Sequence, residues 1–221
     1  MAENLQKRQK MENLIKGAVK FMQEDFKEHK SLFKSLKDRQ SPHTLFIGCA
    51  DSRVVPNLIT GTAPGELFVV RNIANIVPPY RVGQDYLATT SAIEYAVSSL
   101  RVRNIVVCGH SNCGGCAALY YEPAKLAAMP NVKRWLSLID DIKDEVLGFE
   151  SARTDEAMRS WLTEKMNLLN SLQNLLTYPE IQKAVGEKRL EMHAWHYIIE
   201  TGEIFEYNAD EKHFVLISHR D

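Results

Sequence analysis

The chain has 221 residues, and its 27 Lys and Arg against 28 Asp and Glu give a formal net charge of −1. This balance argues against a basic nucleic-acid-binding protein and against a polybasic protein of the membrane surface. Hydrophobic residues make up 45% and charged residues 25%, which is typical of a folded globular protein. No uncharged apolar run approaches the ~20 residues that cross a bilayer. Residues 1–20 contain no secretory signal, so we predict a cytoplasmic protein.

The four cysteines are too few for a disulfide scaffold in a chain of this length. In a cytoplasmic protein they are expected to be reduced thiols. They are therefore candidates for metal binding or redox chemistry rather than for structural cross-links.

The N-terminal segment has the pattern of an amphipathic helix. Between residues 11 and 36, apolar side chains recur at helical spacing among many charges. This pattern predicts one or two helices. We expect residues 1–38 to form an N-terminal helical arm and residues 39–221 to form a single α/β domain.

Three short apolar runs, at 43–49, 67–70 and 104–108, are predicted to be strands. Such runs are typical of parallel strands that are buried on both faces. An alanine-rich stretch at 86–100 with helical periodicity separates the second run from the third. The alternation of strand and helix predicts a parallel sheet with crossover helices.

The remaining third of the chain is predicted to hold two helices and a hairpin. Residues 135–147 and 157–176 have helical patterns. Residues 190–199 alternate in polarity and are followed by a turn and a return strand at 204–207. The predicted fold class is therefore α/β, with a mostly parallel central sheet, flanking helices, an N-terminal helical arm and a C-terminal edge hairpin.

The most informative side chains follow two of the predicted strands. Cys49 ends the first strand, His110 follows the third, and Cys113 comes three residues later, where Gly114 and Gly115 allow a helix to begin. Functional groups gather beyond the carboxyl ends of parallel strands. Two thiolates and one imidazole form a familiar ligand set for catalytic zinc. We predict that these three residues bind one Zn²⁺, and that the helix N-terminus lowers the pKa of the Cys113 thiol.

An acidic and a basic residue follow the first cysteine at two-residue spacing. Zn²⁺ with two thiolates and a neutral imidazole has a net charge of about zero, so a water bound to it is less acidic than on an all-histidine site. A nearby carboxylate is then needed to orient the hydroxide, and it has to stay ionised and off the metal. We predict that Asp51 has this role and that Arg53 holds it through a bidentate bridge.

These residues lie in two motifs that resemble those of the β-class carbonic anhydrases. Cys49-Ala-Asp51-Ser-Arg53-Val and Gly109-His110-Ser-Asn-Cys113-Gly114-Gly115 match that family in residue type, order and spacing. Segments 64–75, 92–96 and 174–179 match it as well. The resemblance implies reversible hydration of CO₂ to bicarbonate by attack of zinc-bound hydroxide, with the ligands and the acid–base pair named above.

The resemblance, which is to the plant-like subgroup, also implies a substrate pocket. Its members correspond here to Gln40, Phe68, Ile73, Tyr95 and the main-chain amide of Gly114. In that family, part of the pocket comes from a neighbouring subunit. A homodimer or a dimer of dimers is therefore expected, with the N-terminal arm packing on the partner. No nucleic-acid or membrane partner is expected.

Two other interpretations remain open from the sequence. The Cys113-x-x-Cys116 spacing at a helix start resembles a thioredoxin-like redox motif, but it gives no role to Cys49, Asp51 or Arg53. A non-catalytic module stabilised by zinc is the other alternative.

The remaining cysteines and histidines are interpreted as structural. Cys108 lies inside a predicted strand, and Cys116 lies on the buried side of a predicted helix. The histidines near the C-terminus, among them His193 and His196, show no metal-ligand pattern.

Overall fold

The computed structural model describes residues 2–83 and 85–218. It divides into two compact units, Met1–Gln40 and Ser41–Asp221. Within the described residues, no helix is both long and apolar enough to cross a membrane.

The N-terminal unit is helical, as predicted. Helix α1, Ala2–Lys20, continues through a π-helical turn, Phe21–Asp25, into the short α2, Phe26–Glu28, and α3 follows at Lys30–Leu36. Three phenylalanine rings at 21, 26 and 33 pack together with centroids 5.4 to 6.2 Å apart. Several large apolar side chains remain exposed on this unit: Met11, Leu14, Ile15, Val19 and Met22.

The second unit is built on one six-stranded sheet. Its strands are β1 Thr44–Cys49, β2 Leu67–Asn72, β3 Asn104–His110, β4 Glu191–Tyr197, β5 Ile204–Asn208 and β6 His213–Leu216. Their order across the sheet is β2-β1-β3-β4-β5-β6. The first four strands in that order are mutually parallel. β5 is antiparallel to β4, and β6 is antiparallel to β5. The predicted mostly parallel sheet is confirmed.

Two details of the sheet differ from the prediction. The run at 67–70 lies in β2, which is only partly buried, because this strand is at the end of the strand order and pairs only with β1. The first strand of the C-terminal hairpin, β4, lies inside the sheet and is parallel to β3. The edge is formed instead by β6, a short and largely exposed strand that pairs with β5 and that the sequence pattern did not predict.

Helices flank the sheet and connect its strands. They are α4 Pro56–Thr60, α5 Leu87–Glu94, α6 Gly114–Ala117, α7 Pro123–Ala127, α8 Pro130–Leu136, α9 Asp140–Gly148, α10 Glu150–Thr154, α11 Glu156–Leu175 and α12 Pro179–Gly186. The helix predicted at 86–100 ends in a π-helical turn, Tyr95–Ser99. The helix predicted at 135–147 is interrupted by a 3₁₀ turn, Ser137–Ile139, so it becomes the end of α8 and most of α9.

The main core lies on one face of the sheet. Leu45 and Ile47 of β1 and Ile105 and Val107 of β3 point to this face and pack with helical side chains that include Leu168 of α11. Full burial of such a side chain contributes about 1.5–3 kcal/mol. This packing holds α11 against β3 and β4, and so places the middle of α11 behind the carboxyl ends of the central strands.

Candidate metal centre and active site

Two adjacent parallel strands bring the first two predicted metal ligands together. Cys49 is the last residue of β1 and His110 is the last residue of β3, and the two strands pair directly. A turn then returns the chain to Cys113, which caps the start of α6. Asn112 in this turn has a φ of 54°, in the left-handed region that asparagine adopts more readily than most residues.

The close approach of this turn to the neighbouring segment requires a glycine. A Cβ atom at Gly115 would lie 2.9 Å from both the main-chain nitrogen and the Cβ of Ala74. Because backbone cannot move aside as easily as a flexible side chain, a larger residue at 115 would displace the segment that carries Ile73.

The three predicted ligand atoms converge at one buried point. The Sγ atoms of Cys49 and Cys113 and a ring nitrogen of His110 all lie within 4.8 Å of one another, and the two sulfurs are 3.9 Å apart. The three residues are at most 4% exposed. Tetrahedral zinc with thiolates at about 2.3 Å places two sulfurs about 3.8 Å apart. The spacing therefore fits zinc.

The histidine presents a free lone pair to the same point. His110 Nδ1 lies 3.0 Å from the carbonyl oxygen of Ser111, so this nitrogen carries the proton and donates it. Nε2 is buried and has no hydrogen-bond partner in the described part of the chain. Buried polar atoms are rarely left unpaired. A metal ion explains this one, because a metal-bound histidine commonly donates its other ring N–H to a carbonyl.

The prediction of a lowered Cys113 pKa is wrong. The pKa of Cys113 is raised, first by its hydrogen bond with the Cys116 side chain and further by burial. The hydrogen bond with Cys113, together with burial, raises the pKa of Cys49 to about 12. Helix α6 has only four residues, so its dipole does not outweigh these effects. Both thiols therefore lose their protons only to a cation that binds them.

Asp51 and Arg53 form the predicted bidentate bridge. Arg53 Nε donates to Asp51 Oδ1 at 2.9 Å, and Nη2 donates to Oδ2 at 2.8 Å. This guanidinium holds the pKa of Asp51 well below its usual range. Asp51 Oδ2 lies 3.8 Å from His110 Nε2, yet Asp51 is not part of the three-ligand group. The carboxylate is thus ionised and beside the metal position.

Arg71, to which sequence reasoning assigned no role, holds the main chain of this same segment. From β2, its Nε donates to the carbonyl oxygen of Cys49 at 2.9 Å, and its Nη2 donates to the carbonyl oxygen of Asp51. The only signal in the sequence was its position within segment 64–75. Contacts to main-chain oxygens leave no spacing pattern that could reveal them.

The predicted substrate-binding residues are more exposed than the predicted metal ligands. The rings of Phe68 and Tyr95 are 5.9 Å apart, and Gly114 is the first residue of α6. Ile73 and Tyr95 are 41% and 48% exposed. Gln40 is exposed and lies at the end of the N-terminal unit. The roles of these five residues stay predictions.

Cys108, Cys116 and His196 are buried, as structural residues would be, and His219 lies outside the described residues. Cys108 and Cys116 are buried, in β3 and α6. His196 is also buried, and its ring bonds Glu164 of α11. Glu164 in turn accepts the main-chain N–H of Cys113, and sequence reasoning did not identify it.

Comparison with known proteins gives a consistent result. The family model described as carbonic anhydrase matches residues 44–204. A carbonic anhydrase of Helicobacter pylori (strain J99) is 45% identical over 200 residues, which cover 90% of each chain. The solved structure of the β-carbonic anhydrase CcaA superposes with a TM-score of 0.88 at 37% identity, covering 94% of this chain and 99% of that one.

A second solved structure adds information on assembly. One of two β-carbonic anhydrases of Sordaria macrospora, described as tetrameric, superposes with a TM-score of 0.66 at 31% identity. It covers 93% of this chain and 98% of its own. Since the family model spans most of the chain and the metal-ligand geometry fits zinc, this chain belongs to the β-class carbonic anhydrases, the zinc enzymes that catalyse reversible hydration of carbon dioxide.

Proposed function

We propose that Cys49, His110 and Cys113 hold the zinc ion of this carbonic anhydrase and that Asp51 and Arg53 are its catalytic pair. The observation that carries the proposal is the ionised carboxylate beside a three-ligand centre, at 3.8 Å from His110 Nε2. Three protein ligands leave a fourth tetrahedral position for the reaction.

Zinc bound at this centre supplies a Lewis acid that lowers the pKa of water and so makes a nucleophile available near neutral pH. Asp51 orients that nucleophile. An ionised carboxylate can only accept hydrogen bonds. It therefore accepts a hydrogen bond from the attacking oxygen, and this bond directs a lone pair of that oxygen toward the substrate. Arg53 keeps Asp51 ionised and fixes the plane of its carboxylate through the two bonds described above.

The substrate-facing residues suit a small apolar molecule. Phe68, Ile73 and Tyr95 provide apolar surface, as CO₂ requires. The N–H of Gly114 is the first of helix α6, and the first N–H groups of a helix have no intrahelical partner. We assign to it, with Gln40, the stabilisation of the negative charge that develops on the substrate oxygens.

Self-association is part of the proposal. Ile73 and Tyr95 are large side chains that the α/β domain leaves exposed, and the N-terminal unit exposes a further apolar set. Exposed apolar surface of this kind marks interaction surfaces. We propose a dimer or a dimer of dimers, in which the arm packs on a partner subunit and the partner completes the substrate pocket.

The proposed cellular location is the cytoplasm. All four cysteines are free, and the metal centre needs two of them as reduced thiols. A reducing compartment favours that state.

Metal analysis combined with stopped-flow CO₂ hydration tests the proposal, on the wild type and on Cys113→Ser. We expect one zinc per wild-type chain with rapid hydration, and the loss of both in the variant. A wild-type protein that binds zinc without hydrating CO₂ would instead support a non-catalytic zinc-stabilised module.

A further inference from the structure

A buried carboxylate lies directly behind the second thiolate ligand. Glu164, in the middle of α11, is 3% exposed. Its Oε1 accepts the main-chain N–H of Cys113 at 2.9 Å and the hydroxyl of Ser160 at 3.0 Å. Its Oε2 lies 3.0 Å from Nε2 of His196, which is itself buried. One side chain thus connects α11, β4 and the start of α6.

Packing alone does not explain a glutamate at this position. Its helical neighbour Leu168, one turn along α11, lies in the apolar core. A buried charge is costly unless every oxygen is compensated, and an apolar residue in its place is often equally stable. An apolar residue here would leave the N–H of Cys113 without this acceptor. The carboxylate is therefore needed as the hydrogen-bond acceptor for the main-chain N–H of Cys113.

His196 sets the orientation of that carboxylate. Its Nδ1 is buried and has no hydrogen-bond partner among the residues that the structure describes. The proton is therefore assigned to Nε2, which donates to Glu164 Oε2. With one oxygen held by His196 and the other bonded to Cys113 and Ser160, the carboxylate cannot rotate without breaking a buried hydrogen bond.

The same turn is anchored on its other side as well. The carbonyl oxygen of Asn112 accepts from Arg53 Nη2 at 3.2 Å. The N–H of Ser111 donates to the carbonyl oxygen of Tyr197 at 2.9 Å. These contacts hold the residues before Cys113, whereas Glu164 holds Cys113 itself. Metal–ligand distances tolerate errors of only about 0.2 Å, so an unanchored main chain at a ligand weakens the site.

We propose that Glu164, oriented by His196, is a positioning residue for the metal ligand Cys113. It acts through the main chain, and it fixes the Cys113 Sγ at the separation from Cys49 that a tetrahedral metal requires. This inference rests on the proposed zinc site, and it adds to that site a buried pair that contacts neither substrate nor metal.

The test compares Glu164→Leu, Glu164→Gln and the matched control Ser160→Ala. Zinc affinity is measured by competition with a chelator, and the ligand geometry is read from the visible absorption of the Co²⁺-loaded protein. We expect Glu164→Leu to weaken zinc binding about 10- to 100-fold and to alter the cobalt spectrum. Glu164→Gln keeps an oxygen for the Cys113 N–H and should recover most of the affinity. Ser160→Ala removes the other hydrogen bond to that oxygen and should stay within about 2-fold of wild type.

A second variant covers the case in which Glu164→Leu does not fold, as judged by circular dichroism. His196→Leu leaves the glutamate in place but frees its orientation, and we expect a several-fold loss of zinc affinity. Wild-type affinity and an unchanged cobalt spectrum in folded Glu164→Leu would overturn the proposal. If that variant is unfolded, wild-type values in His196→Leu would overturn it instead.

The two proposals fail in different ways. If the wild type binds no zinc at Cys49, His110 and Cys113, the proposed function itself is wrong. If the wild type binds zinc and hydrates CO₂ while the variants bind zinc equally well, only the role of Glu164 is wrong.

Discussion

The predicted metal ligands and the predicted substrate-binding residues differ in how far one chain buries them. The three ligands are at most 4% exposed and converge within 4.8 Å. In contrast, Tyr95 is 48% exposed and Ile73 is 41% exposed. One chain therefore buries all three predicted metal ligands, but it leaves two of the predicted substrate-binding residues exposed.

This contrast reflects two different physical requirements. A metal ion demands ligand positions within a few tenths of an ångström, which buried strands and anchored turns supply. A small apolar substrate demands mainly that water be excluded, and a second subunit can do that. Changes that affect metal binding and substrate binding differently therefore test this separation.

The largest expected effect is the pH dependence of zinc binding. Because the Cys49 and Cys113 pKa values are raised, both thiols are protonated at neutral pH and each loses a proton when zinc binds. The pKa of His110 is also raised, because the effect of burial is outweighed by that of the nearby Cys49. Above that pKa the imidazole is already neutral and releases no proton, and below it His110 adds a third proton to the two from the thiols. Zinc affinity should thus fall about 100-fold for each pH unit of acidification.

Chelator competition between pH 6 and 9, together with calorimetry in buffers of different ionisation enthalpy, measures the protons released. The slope should still be two near pH 9, because the pKa of Cys49 is about 12. A wild-type slope that flattens near pH 8.5, the ordinary thiol pKa, would contradict the raised values.

Arg53→Ala should separate metal binding from catalysis. Zinc content should stay at one per chain, whereas kcat/KM for CO₂ hydration should fall about 100-fold, because Asp51 loses its fixed plane. Without the guanidinium, the pKa of Asp51 rises toward its ordinary value of about 3.9. Asp51 then becomes protonated at a higher pH than in the wild type, so the acid limb of the pH–rate profile should move to higher pH.

An exposed arginine outside the site gives the control for that experiment. Arg101→Ala removes the same charge just before the start of β3, whereas the predicted metal ligand His110 lies at the other end of that strand. It should leave both zinc content and hydration unchanged. Wild-type turnover in Arg53→Ala would exclude the catalytic role of the pair.

Disruption of self-association should affect the substrate side but spare the metal. Leu14→Glu combined with Met22→Glu places charges on the apolar surface of the arm, where these side chains are 70% and 63% exposed. Sedimentation velocity should show smaller assemblies, and hydration should fall about 10-fold at unchanged zinc content. Lys16→Glu changes the charge without removing apolar area and serves as the control. Full activity in a monomeric double variant would show that one chain completes the pocket.

The smallest expected effect is that of Cys116→Ser. Cys116 is buried beside Asn167, whose amide lies 3.9 Å from its sulfur, and it is not part of the three-ligand group. Hydration and zinc content should stay within about 2-fold of the wild type. A disulfide-exchange enzyme would lose its activity completely, so a dithiol-reduction assay on both proteins separates the two chemistries.

Much of the site could be predicted from local sequence patterns. Asp51 and Arg53 are two residues apart, so their bridge depends on one short turn and could be predicted from spacing. The runs around 43–49 and 104–108 predicted strands that end at Cys49 and His110, and parallel pairing brings such ends to one edge. The sequence alone was thus enough to predict the fold class, the cysteine–histidine group that could hold a metal, and the Asp51–Arg53 bridge.

Tertiary structure decided what depends on contacts between distant segments. Glu164 meets Cys113 across 51 positions and Arg71 meets Cys49 across 22, and both contacts go to main-chain atoms that carry no sequence pattern. The direction of the thiol pKa shifts was likewise decided by burial and by neighbouring thiols rather than by the start of a helix. The physical reason is common to all of these: hydrogen-bond partners and burial arise only when separate elements pack together, whereas residue type and spacing are already present in the unfolded chain.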